Sequence, residues 1–181
     1  MTEPYTPAED TFFLEDIVRS SAREGVAADV GCSSGYMLGI LAELGLEAVG
    51  VDIDAEALEE AQRRLERVYG VVHLVHASLM PFRMSSFDLV VSNPPYLPAD
   101  EEFHDPAVHG GLSGWETAAD VVKAAGRCMK TDGFLIILVS SLSDVGGFLS
   151  AVNSEGFAVV ERFELNLFFE RLYCFKLRLL G

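Results

Sequence analysis

The segment Ala28-Asp29-Val30-Gly31-Cys32-Ser33-Ser34-Gly35, followed by an apolar stretch to Leu44 and then Val49-Gly50-Val51-Asp52, leaves this chain few choices of fold. Its order is strand, small-residue loop, helix, strand, terminal acid. In an open α/β sheet the ligand crevice lies at the carboxyl ends of the strands, where this loop and Asp52 fall. Gly31 and Gly35 let the backbone approach a ligand closely. An acid ending the second strand suits a ribose diol. The spacing departs from the dinucleotide pattern, because Asp29-x-Gly31-x-x-x-Gly35 lacks the middle glycine that makes room for pyrophosphate. A nucleoside cofactor without phosphates fits better, and S-adenosylmethionine is the obvious candidate.

The rest of the chain continues this alternation. Ala8 to Arg23 reads as an amphipathic helix entered through Tyr5-Thr6-Pro7. Val26–Gly31, Ala48–Asp52, Val71–Val75, Phe87–Ser92 and Gly133–Val139 read as strands. Gly35–Leu44, Ala55–Tyr69 and Ser113–Met129 read as helices. This βαβ rhythm implies a parallel sheet with helices on both faces. The tail differs: a helix from Ser143 to Ser154 precedes two long strands, Phe157–Leu165 and Arg171–Leu179, around Asn166-Leu167-Phe168-Phe169-Glu170. That pattern is a closing antiparallel hairpin. The expectation is a Rossmann-like α/β fold with a seven-stranded, mostly parallel sheet, the class I methyltransferase layout. Residues 1–181 form one domain, with 1–24 as a motif and helix packed on it.

Composition excludes several classes. The formal charge of −15 repels nucleic-acid phosphates, and no Lys/Arg cluster offsets it. No apolar run is long enough to span a bilayer, and Met1-Thr2-Glu3-Pro4 lacks a signal-peptide pattern. Cys32, Cys128 and Cys174 are widely spaced and odd in number, which argues for reduced thiols in a cytoplasmic protein and against a zinc site.

Chemistry concentrates at Asn93-Pro94-Pro95-Tyr96, at the end of the apolar run Phe87–Ser92. Each proline fixes its own φ and holds the preceding residue extended, so the corner is stiff. It turns the Asn93 amide and the carbonyls of Asn93 and Pro94 outward, beside the flat face of Tyr96. Such a site accepts hydrogen bonds from a planar NH2 group and stacks on the group carrying it. A proline-rich turn with a core tyrosine is the plainer reading, and the upstream glycine loop outweighs it.

With these residues in view, the chain resembles the HemK-like glutamine methyltransferases, specifically the short archaeal and eukaryotic branch acting on class-1 peptide-release factors. Tyr5-Thr6-Pro7-Ala8-Glu9-Asp10-Thr11 looks like the family's opening motif, and Asn93-Pro94-Pro95-Tyr96 matches its catalytic motif. Gly110-Gly111-Leu112-Ser113-Gly114-Trp115-Glu116 looks like its Gly-Gly-x-x-Gly-x-Glu segment. The bacterial branch carries an additional N-terminal helical domain, for which this chain has no room. Ser78 stands where the family usually carries an acid, and Asp29 where a Glu is common. The resemblance implies cofactor contacts at Thr11, Asp29, Gly31, Gly35, Asp52, Ile53 and Asn93, with Asp52 on the ribose and Ser78 and Leu79 beside the adenine. It implies that Asn93 and Pro94 accept the two hydrogens of a substrate amide, with Pro95 stiffening the corner and Tyr96 packing on the amide plane. It also implies a small zinc-binding activator subunit as partner. The third strand, Val71-Val72-His73-Leu74-Val75, is apolar and falls at the sheet's open edge in this topology, which makes it the expected docking strand.

The leading reading is therefore methylation of the Gln in a release factor's Gly-Gly-Gln loop. Amide nitrogen is a poor nucleophile, so the task is positioning, and no catalytic His or Lys is needed. Rival readings are a nucleic-acid adenine or guanine methyltransferase, a protein-lysine methyltransferase, and a non-catalytic scaffold. The acidic run Asp100-Glu101-Glu102-Phe103-His104-Asp105 follows the corner and favours a basic protein over a phosphate backbone. His104 and His109 match no metal motif, His73 and His76 suit structural or interface roles, and Trp115 suits packing.

Overall fold

Short β-branched and alanine-rich runs between amphipathic helices produce a seven-stranded sheet of order β3-β2-β1-β4-β5-β7-β6. The computed structural model describes residues 8–99 and 108–180. The Tyr5-Thr6-Pro7 entry, His104 and the acidic run Asp100–Asp105 lie outside the described residues. In chain order the elements are α1 (Glu9–Ser21), β1 (Val26–Val30), α2 (Tyr36–Glu43), β2 (Glu47–Asp52), α3 (Ala55–Leu65) and β3 (Val72–His76). They continue with β4 (Phe87–Ser92), α4 (Glu116–Cys128), β5 (Met129–Ser140), α5 (Val145–Ser154), β6 (Phe157–Asn166) and β7 (Arg171–Leu179). Strands β1 to β5 pair in parallel, and β7 runs antiparallel between β5 and β6. The expected mostly parallel sheet with an antiparallel hairpin is what forms.

The central strands β1, β2, β4 and β5 are largely buried on both faces, which is why they read as apolar runs. Ala28, Val30, Val90, Leu135 and Ile137 point toward α4 and α5, where Val121, Val122 and Phe148 close one core. Their neighbours Ala27, Leu89, Val91, Ile136 and Leu138 meet Leu14, Val18, Leu38 and Leu41 from α1 and α2. Thus α1 packs on the domain core, as the sequence suggested. No helix among the described residues is long and apolar enough to cross a membrane.

Three boundaries differ from the sequence reading by three residues or more. Helix α3 stops at Leu65, four residues before Tyr69, because the chain must turn back into the sheet through Gly70. There φ is +151°, and a Cβ would lie 2.9 Å from that of Ala42. Helix α4 begins at Glu116 instead of Ser113, since residues 113–115 form a loop tied to its first side chain. Strand β5 begins at Met129 instead of Gly133. Met129 pairs with Phe87, the register then slips, and pairing resumes at Phe134 with Leu89. Lys130 clasps Asp88 at 2.8 Å across this bulge, and the Asp88 carboxylate also accepts the Val26 N–H at 2.8 Å.

Candidate active site

Parallel pairing brings three of the anticipated residues to one level at the carboxyl edge of the sheet. Asp29 lies opposite Gly50 on one side and Val91 on the other. Two residues further on, Gly31 is therefore level with Asp52 and Asn93, the first residues past or ending their strands. Neighbouring strands are about 4.8 Å apart, so Asp52 and Asn93 flank Gly31 within roughly 10 Å of each other.

The glycine loop is fastened to β2. Gly31 and Cys32 donate to the Val51 carbonyl at 2.8 and 3.2 Å. Ser33 donates to Asp52 Oδ2 at 2.7 Å, and Asp54 donates to Asp52 Oδ1 at 2.9 Å. Asp52, half-buried, thus holds both the β1–α2 loop and the β2–α3 turn. Gly31 adopts φ +76°, and nothing stands within 4 Å of where its Cβ would be. The loop consequently presents bare backbone to open space. Gly35 is different: it is buried, and a Cβ there would lie 2.9 Å from Ala61 Cβ in α3. Its glycine has a packing reason that the sequence did not reveal.

Ile53 is exposed next to Asp52, and its carbonyl contacts His76 Nε2 at 2.8 Å. Ala77 donates to the Asp52 carbonyl at 2.9 Å, which brings the following Ser78, exposed, and Leu79, half-buried, to the same corner. His73 meets Glu47 at 3.1 Å across the β2–β3 pair. Both β3 histidines therefore hold local structure.

Asp29 is buried beneath the loop. Burial, with the neighbouring Asp52 carboxylate adding to it, pushes its pKa up to about 7. A carboxyl raised from 3.8 binds its proton more tightly folded than unfolded. The stability this confers is complete below about pH 4 and is lost as pH rises through about 7. Asp29→Asn is therefore expected to be more stable than the wild type near pH 8, by up to about 4 kcal/mol, with the gap closing toward pH 4. Urea unfolding at several pH values checks this, and parallel pH profiles of the two proteins would overturn it. Burial also drives the Cys32 thiol well above its ordinary range, so it is not a nucleophile here.

The Asn93 corner has a partner that sequence spacing could not disclose. Asn93 Nδ2 donates to Asp10 Oδ2 at 2.8 Å, across 83 residues of sequence. A carboxylate only accepts, so this contact fixes which way the amide is turned. Asn93 Oδ1 is left buried and without a hydrogen-bond partner among the described residues. Asp10 Oδ1 in turn accepts the Thr11 backbone N–H at 2.7 Å, so buried Thr11 sits directly behind Asp10. Ser92 Oγ, one residue before the corner, donates to the Val30 carbonyl at 2.8 Å. Pro94 is buried, while Pro95 and Tyr96 are half-buried, with Tyr96 against the α1–α2 core.

The glycine segment braces the far side of this corner. Leu97 donates to the Val108 carbonyl at 3.0 Å, Gly110 to Leu97 at 2.9 Å, and Ala99 to Gly111 at 2.8 Å. A Cβ on Gly110 would sit 2.3 Å from the Pro95 carbonyl oxygen, and one on Gly114 2.6 Å from that of Tyr96. Only glycine permits this backbone-on-backbone contact. The Glu116 carboxylate accepts the N–H groups of Ser113 and Trp115, at 2.9 and 3.1 Å, and so closes the turn. Ser143 Oγ donates to the Tyr96 carbonyl from the β5–α5 loop. A separate cavity of about 410 Å³, bordered by Arg23, Phe134 and Arg178, lies at the opposite, amino end of the strands.

Residues 28–95 match the family model described as a methyltransferase domain. A release factor glutamine methyltransferase from Geobacter sulfurreducens is 33% identical over 145 residues, covering 72% of this chain and 51% of that protein. The fold is shared with one subunit of the E. cuniculi Mtq2–Trm112 complex, responsible for methylation of the eRF1 translation termination factor, at TM-score 0.76 and 27% identity. That match covers 97% of this chain and 98% of the solved one.

The chain is a relative of the glutamine methyltransferases.

A further relative, a Methanocaldococcus jannaschii protein named for N5-glutamine methylation, is 27% identical over 177 residues, covering 94% of this chain and 89% of its own. The chain spans about half the length of the bacterial relative but most of the archaeal one. Its architecture is that of the class I methyltransferases. The methyltransferase-domain match begins at β1 and ends inside the Asn93 corner, so it covers the glycine loop and Asp52.

Proposed function

We propose that this chain is an S-adenosylmethionine-dependent N5-glutamine methyltransferase whose acceptor is the Gln of the Gly-Gly-Gln loop of a class-1 peptide-release factor. The observation that carries the reading is Asn93 Oδ1, a buried acceptor with no internal partner, aimed by the Asp10–Asn93 contact. A lone buried acceptor costs free energy unless a ligand N–H meets it. An NH2 group suits it; a hydroxyl or carbon acceptor does not need two hydrogen-bond acceptors side by side.

The residues fit the cofactor. The open face at Gly31 admits its methionine portion, and the half-buried Asp52 carboxylate meets the ribose diol. Ile53, Ser78 and Leu79 border the adenine; Thr11, behind Asp10, contacts the cofactor from the α1 side. S-adenosylmethionine, when bound, supplies an electrophilic methyl group on a sulfonium. Asn93 Oδ1 and the Pro94 carbonyl accept the two N–H bonds of the substrate amide, and the Tyr96 ring packs on its plane. These contacts aim the nitrogen lone pair and stabilise positive charge as it develops there. Both amide hydrogens stay bound to acceptors until one leaves as a proton to water, so the corner needs no strong base. With a charge of −15, the chain favours a protein acceptor over a phosphate-bearing one. The place of action is the cytoplasm, and residues 1–181 act as one methyltransferase domain.

The test is incubation of the purified chain with labelled cofactor and a class-1 release factor, then mass spectrometry of the product. Label on the Gly-Gly-Gln glutamine is expected. Label on nucleic acid or on lysine instead would overturn the assignment.

The partner is proposed to be a small zinc-binding subunit that extends the sheet at β3, the terminal strand beyond β2. Tyr69 and Val71, at its entry, are 96% and 54% exposed. Leu74 packs inward against the Gly50 position, so a charge there perturbs the core as well as the edge. Val71→Lys is the cleaner probe. Co-expression is expected to yield a complex with the wild type that Val71→Lys weakens roughly tenfold or more, read by co-purification and calorimetry. A fully active, monodisperse lone chain would remove the need for this partner.

A further inference from the structure

The turn between β6 and β7 places two neighbouring phenylalanines in solvent. Phe168 is 91% exposed and Phe169 86%. Their rings touch edge to face with centroids 4.6 Å apart. This tip is held from all sides of its base. Leu167 donates to the Glu170 carbonyl at 2.8 Å and packs on the α1–α2 core. Ser140 donates to the Glu170 carboxylate, and Arg171 Nε donates to Asn166 Oδ1 at 2.7 Å. Arg171 also meets Glu164 at 3.2 Å. Two rings are thus displayed on a braced support, the arrangement in which binding loses little ordering entropy.

Position says what the tip faces. Because β7 is antiparallel to β5, its first residues lie at the carboxyl edge of the parallel strands, where Ser140 pairs with Leu172. The Asn93 corner sits at that same edge, two strands away, roughly 10–15 Å in backbone terms. The connection is continuous. Ser141 donates to the Arg171 carbonyl at 2.8 Å, Leu142 follows at 49% exposure, and Ser143 donates to the Tyr96 carbonyl. Exposed Leu142 therefore lies on the chain segment that ties the corner to the base of the hairpin carrying Phe168 and Phe169.

We infer that the Phe168–Phe169 tip, with Leu142 on the segment leading to the corner, is a docking surface for the protein substrate, holding the segment that flanks the methylated glutamine. The inference rests on the protein-glutamine reading above. A second copy of this chain is a poor occupant, because two phenyl groups bury about 300–500 Å² per chain, so the pairs of both copies together stay below the about 1,200 Å² of a stable interface. Two chains of charge −15 also repel. So small an apolar patch works as a side anchor to a larger contact centred on the adjoining site. Nucleic acid is disfavoured by the same charge, and the two arginines near the tip, Arg162 and Arg171, are already paired with Glu164.

The experiment compares wild type, F168A/F169A and F168Y/F169Y, each as the full chain with any co-purifying subunit, methylating an intact class-1 release factor. The alanine pair is expected to raise KM roughly ten- to hundredfold with kcat and cofactor affinity unchanged, and the tyrosine pair to restore KM. An unchanged KM with an active wild type overturns the docking surface while leaving the glutamine reading intact. If the wild type does not methylate the release factor, the reading and this inference fall together. A wild type that is dimeric, with an alanine pair that is monomeric and kinetically normal, reassigns the patch to self-association and overturns the inference.

Discussion

Replacing Asn93 by alanine is expected to lower kcat roughly 10²–10³-fold, by analogy with loss of a pre-aimed hydrogen-bonding group at a reacting centre, while cofactor affinity stays nearly unchanged. The structure sharpens why. Asn93 Nδ2 is engaged by Asp10 at 2.8 Å, so its oxygen, buried and without a partner among the described residues, is turned away from Asp10 before substrate arrives. Alanine removes that acceptor outright. Asp10→Ala leaves it in place but frees the amide to turn, so its expected loss in kcat is smaller and Asn93 becomes a weaker positioner instead of an absent one. Asn93→Asp sets a second carboxylate against Asp10, and like charges at hydrogen-bond distance disfavour the folded corner. Single-turnover methylation, alongside calorimetry with S-adenosylmethionine, separates these outcomes. A variant Asn93→Ala that keeps most of its turnover would remove Asn93 from the chemistry.

Asp10 also marks where reading from sequence stopped. Residue types with a local period were legible. The apolar runs at Phe87–Ser92 and Arg171–Leu179 became β4 and β7 with the expected bounds, and the edge position of β3 is the one the family resemblance implied. The glycine loop and Asp52 were legible because strand ends in a parallel sheet converge on one crevice. Contacts between distant segments carry no period. The Asp10–Asn93 pair and the bracing of the Pro95–Ala99 stretch by Gly110 and Gly114 depend on how loops cross in space. The same holds for Gly35, whose need for glycine comes from Ala61 in another helix. Polar Lys130–Asp132 hid the first turn of β5, since a bulge stabilised by the Lys130–Asp88 pair does not alternate as a strand should.

Asp52→Ala is expected to weaken S-adenosylmethionine and S-adenosylhomocysteine alike, by roughly a hundredfold or more in Kd. A charge-assisted contact to each ribose hydroxyl contributes about 1.5–3 kcal/mol, and 1.4 kcal/mol is a factor of ten. The effect exceeds a lost ligand contact, because Asp52 also accepts the backbone N–H groups of Ser33 and Asp54. Without it the glycine loop loses one of its ties to β2, and the face presented at Gly31 is no longer held. Equal weakening of both ligands is the signature, since they share the ribose and differ only at the sulfur. Asp52→Asn should fall between the two, because a carboxamide keeps one acceptor oxygen and turns a donor toward the other N–H. A second readout follows from charge. Asp52 helps to raise the pKa of Asp29, so removing it lowers that pKa and shifts the loss of stability to lower pH. Unchanged affinity for both ligands, with the pH profile displaced as described, would leave Asp52 a structural tie and move the ribose contact elsewhere along the β2–α3 turn.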